Sequence, residues 1–195
     1  HYSEAAGRHT YLTILSAGLP RGGTGGSSGG VDVGAEEGFG ESTDSGGKRP
    51  RLLRFLPESR QVIGVALHQH YVLGVLSHLD GRVTVEHRCE VVSTEPNEVF
   101  AVLVEVINGL YAQLEAPLLC ISVGIPALVD ETTGIVRHAP RFGWYDVPLA
   151  HMLREHFHVQ TIVSNAPELA ALAQVAFDRG SNGGSLATVM ISNSI

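Results

Sequence analysis

Three short, apolar, β-branched runs follow one another at residues 62–67, 71–77 and 83–92, and they constrain the fold more than any other feature. The four residues 79–82 join the second run to the third and read Leu-Asp-Gly-Arg. An Asp-Gly pair between two such runs favours a tight hairpin. The sequence therefore predicts three antiparallel strands in this region.

The pattern then changes to alternating helices and strands. Apolar residues recur at helical spacing from 99 to 114, with Ser93 or Thr94 as the N-cap and Pro96 in the first turn. Two more helices are predicted at 146–157, capped by Asp146, and at 167–180, ending at Gly180. Buried strands are predicted at 118–125 and 159–165, and a last strand opens in "SLATVMI".

The resulting order is β-β-β-α-β-α-β-α-β, which predicts an α/β fold with a mixed sheet. The order resembles one lobe of the ribonuclease-H-like, actin-type ATPase fold, which places two such lobes around a cleft. The chain begins with His1 rather than Met and stops inside a predicted strand. We therefore expect both ends to be cut and the second lobe to be largely missing.

The first third of the chain is unlike the rest. Residues 1–30 end in "RGGTGGSSGG", whose composition predicts a flexible, low-complexity segment. No GxGxxG there lies between a strand and a helix, so the glycines do not indicate a nucleotide site. Residues 31–55 begin with acidic residues, continue through a Gly/Ser/Thr turn and end in a basic, apolar stretch. They fit either a β-ribbon with a mobile tip or a continued linker with a basic end.

Charge and cysteine usage exclude some classes of protein. The net charge of −7 argues against a protein that coats nucleic acid, and the positive charge is concentrated in "GGKRPRLLR" at residues 46–54. Cys89 and Cys120 lack CxxC spacing, which predicts two buried thiols in a reducing compartment. Because no apolar run approaches the ~18 residues of a membrane span and no secretion leader is evident, we expect a cytoplasmic protein without membrane contact.

Four stretches carry a resemblance to a known family. They are "GKRPRLLRFLPESRQVIGV", "LDGRVTVEHR", "SVGIPALVDETTGIVRHAPRFGWYDVPLAHMLREHF" and "VQTIVSNAPELAALAQVAF". Together they resemble the ROK family, which groups sugar kinases with sugar-responsive transcriptional repressors. The resemblance implies a domain order: residues 31–57 as the remnant of a winged-helix wing and linker, 58–185 as the N-terminal lobe, and 186–195 as the first strand of an incomplete second lobe.

The resemblance also shows where the chain departs from the kinases of the family. Those kinases have an Asp, glycines and a Thr after the first strand, where this chain has Ala66, His68, Gln69 and His70. The β-carbons here obstruct the approach of backbone amides to phosphate. The catalytic carboxylate that should follow Asn165 is replaced by Ala166, which cannot accept a proton.

The second phosphate loop of those kinases is also replaced, by Ser-Asn-Ser at residues 192–194. With three parts of phosphoryl transfer changed, we expect no kinase activity, no catalytic residue and no cofactor.

The sugar side of the pocket is partly retained. Gly124 and Pro126 match the family's glycine-proline loop, although Ala127 replaces a usual glycine, and Asn165 matches a sugar-hydroxyl contact. Trp144 matches a Gly-Trp element that we interpret mainly as packing. Arg141 stands in place of a sugar-contacting Asn, and it either selects an acidic or phosphorylated ligand through a forked contact or fills the pocket.

The histidines predict no metal site. His68 and His70 flank a turn, and His156 and His158 flank a helix end, but no carboxylate or thiolate joins them at metal-ligand spacing. We interpret them as solvent-exposed histidines. The family's structural zinc lies in a cysteine-rich segment beyond residue 195, so no zinc is expected in this polypeptide.

Three functions compete at this stage. The first is a ROK-type regulator in which an upstream winged helix, incomplete in this chain, binds operator DNA and a sugar or sugar derivative shifts the binding equilibrium. Lys48, Arg49 and Arg51 would then contact DNA phosphates. The second is a sugar kinase, and the third is a non-functional truncated remnant. A homo-oligomer is expected for the full-length protein.

Overall fold

A computed structural model of the chain describes residues 35–39 and 51–177, and the side chains of residues 55–173. Ten strands and three α-helices lie in these ranges. The strands are β1 (Ala35–Phe39), β2 (Arg51–Phe55), β3 (Gln61–Leu67), β4 (Tyr71–His78), β5 (Val83–Glu90), β6 (Leu118–Ile125), β7 (Leu128–Asp130), β8 (Ile135–Ala139), β9 (Trp144–Val147) and β10 (Thr161–Asn165). The helices are α1 (Pro96–Tyr111), α2 (Leu149–Phe157) and α3 (Ala166–Phe177).

The main sheet has five strands in the order β10-β6-β3-β4-β5. Strands β3, β4 and β5 are antiparallel, which confirms the three predicted strands. Gly81 adopts a φ of +83° in the β4–β5 turn and donates its N–H to the His78 carbonyl oxygen at 3.0 Å, as the Asp-Gly pair predicted. Strand β6 pairs in parallel with β3, and β10 pairs in parallel with β6. The sheet is therefore mixed.

The two faces of the sheet are covered differently. One face packs against α1 and α2 in a single large core that includes Val65, Val123 and Leu153. Gly74 allows α1 to lie close, because a β-carbon there would stand 2.5 Å from Cγ1 of Val106. The opposite face meets α3 in a smaller apolar cluster, described with the site below.

A second sheet, of three short antiparallel strands, was missed by the sequence analysis. Strands β7, β8 and β9 lie in the order β7-β8-β9 between β6 and α2. Their inner residues, among them Val136, Ala139 and Trp144, join the large core. These strands are too short to show a clear alternation of apolar and polar residues, which is why the sequence analysis predicted no strand there.

The helix termini also differ from the prediction. Helix α1 begins after Glu95, and neither Ser93 nor Thr94 caps it through its side chain. Asp146 does not cap α2, because the helix begins three residues later at Leu149 and Asp146 lies in β9 with a φ of +48°. Its carboxylate instead accepts a hydrogen bond from Arg137 at 2.9 Å.

Strands β1 and β2 form an antiparallel pair, as one of the two interpretations of residues 31–55 predicted. Cys120 is buried, whereas Cys89 is only half-buried, so the prediction of two buried thiols was wrong for Cys89. The low-complexity segment, the tip of the ribbon, the end of α3 at Gly180 and the last predicted strand lie outside the described residues. Within the described part of the chain, no helix is both long enough and apolar enough to span a membrane.

Candidate functional site

The carboxyl ends of three parallel strands meet at one edge of the main sheet. Gly124 of β6 lies between Ala66 of β3 and Ser164 of β10 in register. The strands then end at Leu67, Ile125 and Asn165. In open α/β sheets, ligands bind in the crevice outside such carboxyl ends. We call this edge, with the turns that follow the three strands, the carboxyl edge.

The turn after β3 is filled by packed side chains. His68 donates its N–H to the Tyr71 carbonyl oxygen at 2.9 Å, and its ring stacks on that of Tyr71 with centroids 4.3 Å apart. The guanidinium of Arg88 lies 4.0 Å from the Tyr71 ring centre. Burial, and then the charge of Arg88, lower the pKa of His68 below 6.5. His68 is therefore half-buried and favours its neutral form, which corrects the expectation of an exposed histidine.

Ala66 lies on the face of the main sheet that meets α3, in the smaller apolar cluster. It is 3% exposed and packs with Leu73 and Leu169, and Tyr71 covers the cluster. A carboxylate at this position would be buried among apolar side chains. The methyl group of Ala66 thus fits the pocket that holds it.

Both polar atoms of the Asn165 side chain form a hydrogen bond within the chain. Its Nδ2 donates to the Ala127 carbonyl oxygen at 2.6 Å, and its Oδ1 accepts the N–H of Glu168 at 3.3 Å. The second contact is that of a helix N-cap, since Glu168 is the third residue of α3. Asn165 therefore joins the turn after β6 to the first turn of α3.

Two carboxyl groups come together next to this junction. Glu131, in the turn after β7, interacts with Glu168 of α3. Burial, and then the hydrogen bond and charge of Glu131, raise the pKa of Glu168 above 4.5. The sequence analysis missed Glu131, Glu168 and the Ala127 carbonyl. The Asn-x-x-Glu spacing of a capping box was the one signal that could have predicted the capping contact.

The turn between β8 and β9 extends toward the same edge. Leu128 pairs with His138 in antiparallel register, so the end of β8 lies beside the start of β7, which directly follows Pro126 and Ala127. The turn is held in place by Phe142, which is 4% exposed. Arg141 is the residue before Phe142 and is half-buried.

Trp144 holds the turn from its other end. Its indole is 2% exposed, its ring lies 5.0 Å from that of Phe142, and its Nε1 donates to the Thr94 carbonyl oxygen at 2.6 Å. This accords with its interpretation as a packing residue.

The sugar-site residues predicted from the sequence are therefore partly brought together. Gly124 and Asn165 lie on adjacent strands, Pro126 follows β6, and Arg141 lies in the neighbouring turn. Gly124 is buried within β6, and Pro126 is half-buried. Of the three residues predicted to contact DNA phosphates, Lys48 and Arg49 lie outside the described residues, and Arg51 is the first residue of β2.

The strand order and the carboxyl edge define a class. If the five strands of the main sheet are renumbered 1 to 5 in chain order, so that β3 is strand 1 and β10 is strand 5, their order across the sheet is 3-2-1-4-5. Strands 1 to 3 are antiparallel to their neighbours, and strands 4 and 5 run parallel to strand 1. This is the α/β lobe of the ribonuclease-H-like, actin-type fold. Residues 62–194 match the ROK family. The chain belongs to the ROK family.

The relatives of this chain include both transcriptional regulators and sugar kinases. The xylose repressor of Bacillus subtilis (strain 168) is 26% identical over 160 residues, which are 80% of this chain and 41% of the repressor. A crystal structure described as a ROK family transcriptional regulator, homologue of the E. coli MLC protein, superposes with a TM-score of 0.61 at 24% identity, over 66% of this chain and 34% of that one.

A kinase shares the fold as well. The inorganic polyphosphate/ATP-glucomannokinase of Arthrobacter sp. strain KM superposes with a TM-score of 0.57 at 21% identity, over 64% of this chain and 51% of that one. At these identities the two structures establish the fold alone. The chain spans about two fifths of the length of the repressor that it matches.

Proposed function

We propose that this chain is the N-terminal lobe of a cytoplasmic, sugar-responsive transcriptional regulator of the ROK family, without kinase activity. The observation that carries the proposal is the apolar environment of Ala66. Ala66 and Ala166 both occupy positions where the kinases of the family are expected to have a carboxylate. The buried apolar surroundings of Ala66 would make a charge costly there.

The turn after β3 supports the same conclusion. Phosphate-binding turns use backbone amides that a ligand can approach closely, and glycines allow that approach. Here His68 stacks on Tyr71, and the His68 N–H is already bonded to the Tyr71 carbonyl oxygen. A triphosphate would have to displace this packing to reach the strand end.

A sugar-binding role accords with the carboxyl edge. Gly124, Pro126, Arg141 and Asn165 remain our proposed ligand-binding residues. Because both polar atoms of the Asn165 amide bond to the chain, we assign Asn165 mainly the role of holding the Pro126–Ala127 turn in position. A ligand would then reach the second N–H and the second lone pair of the amide.

We propose that the full-length protein regulates transcription by binding DNA. The xylose repressor relative supports this, since the resemblance covers 80% of this chain. Lys48, Arg49 and Arg51 of the ribbon are the proposed phosphate contacts, which would position the protein on DNA without specifying sequence. A homo-oligomer is proposed for the full-length protein, and a sugar effector would shift it between DNA-binding and non-binding states.

Two measurements on the folded protein test the proposal. Isothermal titration with a panel of pentoses and hexoses should detect binding of at least one sugar. A coupled ADP-release assay with ATP and the same panel should detect no turnover. Substitution of Pro126 by Asp, at the loop, should abolish sugar binding, whereas Asp80→Asn in the distant β4–β5 turn should leave it unchanged. Sugar-dependent ADP release above the no-sugar control would overturn the regulator proposal.

A sugar kinase remains the second candidate because kinases share the fold, as the glucomannokinase superposition illustrates. The same ADP-release assay, made on the full-length protein with both lobes, decides between the two. A non-functional remnant is the third candidate, and it predicts a protein that folds but binds none of the sugars.

A further inference from the structure

Arg141 is held at a fixed place beside the carboxyl edge. The turn that carries it is closed by hydrogen bonds from the Phe142 N–H to the Ala139 carbonyl oxygen at 3.0 Å and from the Gly143 N–H to the Pro140 carbonyl oxygen at 3.3 Å. Phe142 and Trp144 anchor the turn in the core. The backbone of Arg141 is therefore positioned by its neighbours, while its own side chain is half-buried.

The guanidinium of Arg141 has no partner within the described part of the chain. Most other arginines whose side chains are described do have one. Arg82 bonds to Glu58, Arg137 to Asp130 and Asp146, Arg154 to the Thr133 carbonyl oxygen, and Arg88 lies over Tyr71. Arg60 shares the unpaired state, but it precedes β3 and so lies at the opposite end of that strand from the carboxyl edge.

Four carboxyl groups in and around the three-stranded sheet are engaged with other partners. Asp130 and Asp146 both bind Arg137, at 3.0 and 2.9 Å. The carboxyl groups of Glu131 and Glu168 interact with each other. None of these four side chains forms an ion pair with Arg141, and the described residues supply no counter-ion for its guanidinium.

From these observations we infer that the effector is an acidic sugar, whose carboxylate or phosphate group is bound by Arg141. This inference rests on the proposed sugar-binding function and names the chemical class of the ligand. A guanidinium presents a planar fork of donors that matches both anions, and it has no acceptor for a sugar hydroxyl proton. A neutral sugar would leave most of that fork unpaired, whereas an anion forms charge-assisted, bidentate hydrogen bonds with it.

The test is isothermal titration of the folded protein with matched pairs of ligands. Glucose is compared with glucuronate and with glucose 6-phosphate, and xylose and galacturonate extend the series. Inorganic phosphate and acetate serve as probes of simple anion binding. Each ligand is titrated into the wild type, into Arg141→Gln and into Arg60→Gln, which removes an equally unpaired arginine from the far end of β3. Circular dichroism and thermal melts establish that both variants are folded.

We expect at least one acidic sugar to bind more tightly than its neutral counterpart. Arg141→Gln should weaken that binding about 10- to 100-fold, as the loss of a charge-assisted contact implies, and Arg60→Gln should leave it unchanged. The choice between glucuronate and glucose 6-phosphate distinguishes a carboxylate ligand from a phosphate ligand. If inorganic phosphate binds but none of the acidic sugars does, the inference is overturned.

Two further outcomes separate this inference from the proposed function. If neutral sugars bind as tightly as acidic ones and Arg141→Gln has no effect, the acidic class is wrong while the sugar-responsive function stands. If the folded wild type binds none of these sugars, the sugar-responsive function and the inference fail together.

Discussion

The side-chain amide of Asn165 donates a hydrogen bond to the carbonyl oxygen of Ala127 at 2.6 Å, and so connects the end of β10 to the turn after β6. The same side chain accepts the N–H of Glu168 in the first turn of α3. A residue that family resemblance marks as a ligand contact is thus also the link between two of the three strand ends at the carboxyl edge.

Removing this link should destabilise the protein. We expect Asn165→Ala to lower the free energy of unfolding by about 1–3 kcal/mol, because both the cap and the bond to Ala127 are lost. Asn165→Ser retains a capping hydroxyl but is too short to replace the amide, so its loss should be smaller. Urea denaturation followed by circular dichroism measures both. Equal stability of Asn165→Ala and the wild type would show that the two contacts contribute nothing.

Restoring a carboxylate at Ala66 should also be costly. Ala66→Asp would bury a charge or force its protonation among Leu73, Leu169 and Tyr71, and we expect a loss of about 2 kcal/mol or more. Ala166→Asp is the matched control, because it adds the same group at the N-terminus of α3, where a negative charge is favoured. Its stability in urea should stay within about 1 kcal/mol of the wild type. A similar loss for both variants would contradict the role given to burial.

Acidification should destabilise the fold through His68. The folded-state pKa of His68 is lowered, so the unfolded chain takes up the proton more readily as pH falls below about 6.5. This contribution to stability is complete above pH 6.5 and is lost below it. We expect His68→Gln to flatten the dependence of the unfolding free energy on pH between about 7 and 5. Urea titrations at several pH values provide the measurement.

We expect any side chain at Gly74 of β4 to clash with helix α1. A β-carbon there would lie 2.5 Å from Cγ1 of Val106 and 2.7 Å from Cδ1 of Leu110, so Gly74→Ala should cost about 1–3 kcal/mol. Val106→Ala, made in the Gly74→Ala protein, should recover part of that loss by removing one clashing atom. A double-mutant cycle from thermal or urea unfolding measures the coupling. Strictly additive losses would indicate that the helix moves away instead.

Sequence reasoning reached the main sheet because its signals are local and strong. The Asp-Gly turn before Arg82, the helical spacing of Leu103 and Ile107, and the unbroken apolar run of β6 each predict one element without knowledge of the rest. Strands β7 to β9 have only three to five residues each, and their pairing depends on contacts with the core that no short window contains.

The candidate site was less accessible to such reasoning. The family resemblance alone assigned Asn165 and the glycine-proline loop to the same sugar site. The partner of its amide could not be predicted, because a backbone carbonyl such as that of Ala127 carries no sequence signature. The approach of Glu131 to Glu168 likewise depends on how β7 passes beside α3.

The strand order has a consequence for the order of folding events. The β3–β4–β5 pairings join neighbours in the chain and close short loops, whereas β6 reaches β3 only across more than fifty intervening residues, as the pairing of Val62 with Cys120 shows. Loop closure makes such distant pairings slow. During synthesis the hairpins can therefore assemble early, while the carboxyl edge must wait until β10 has been translated. We expect the carboxyl edge to form after the hairpins, and mutations that slow its assembly would lengthen the time during which the nascent hairpins are not covered by the rest of the sheet.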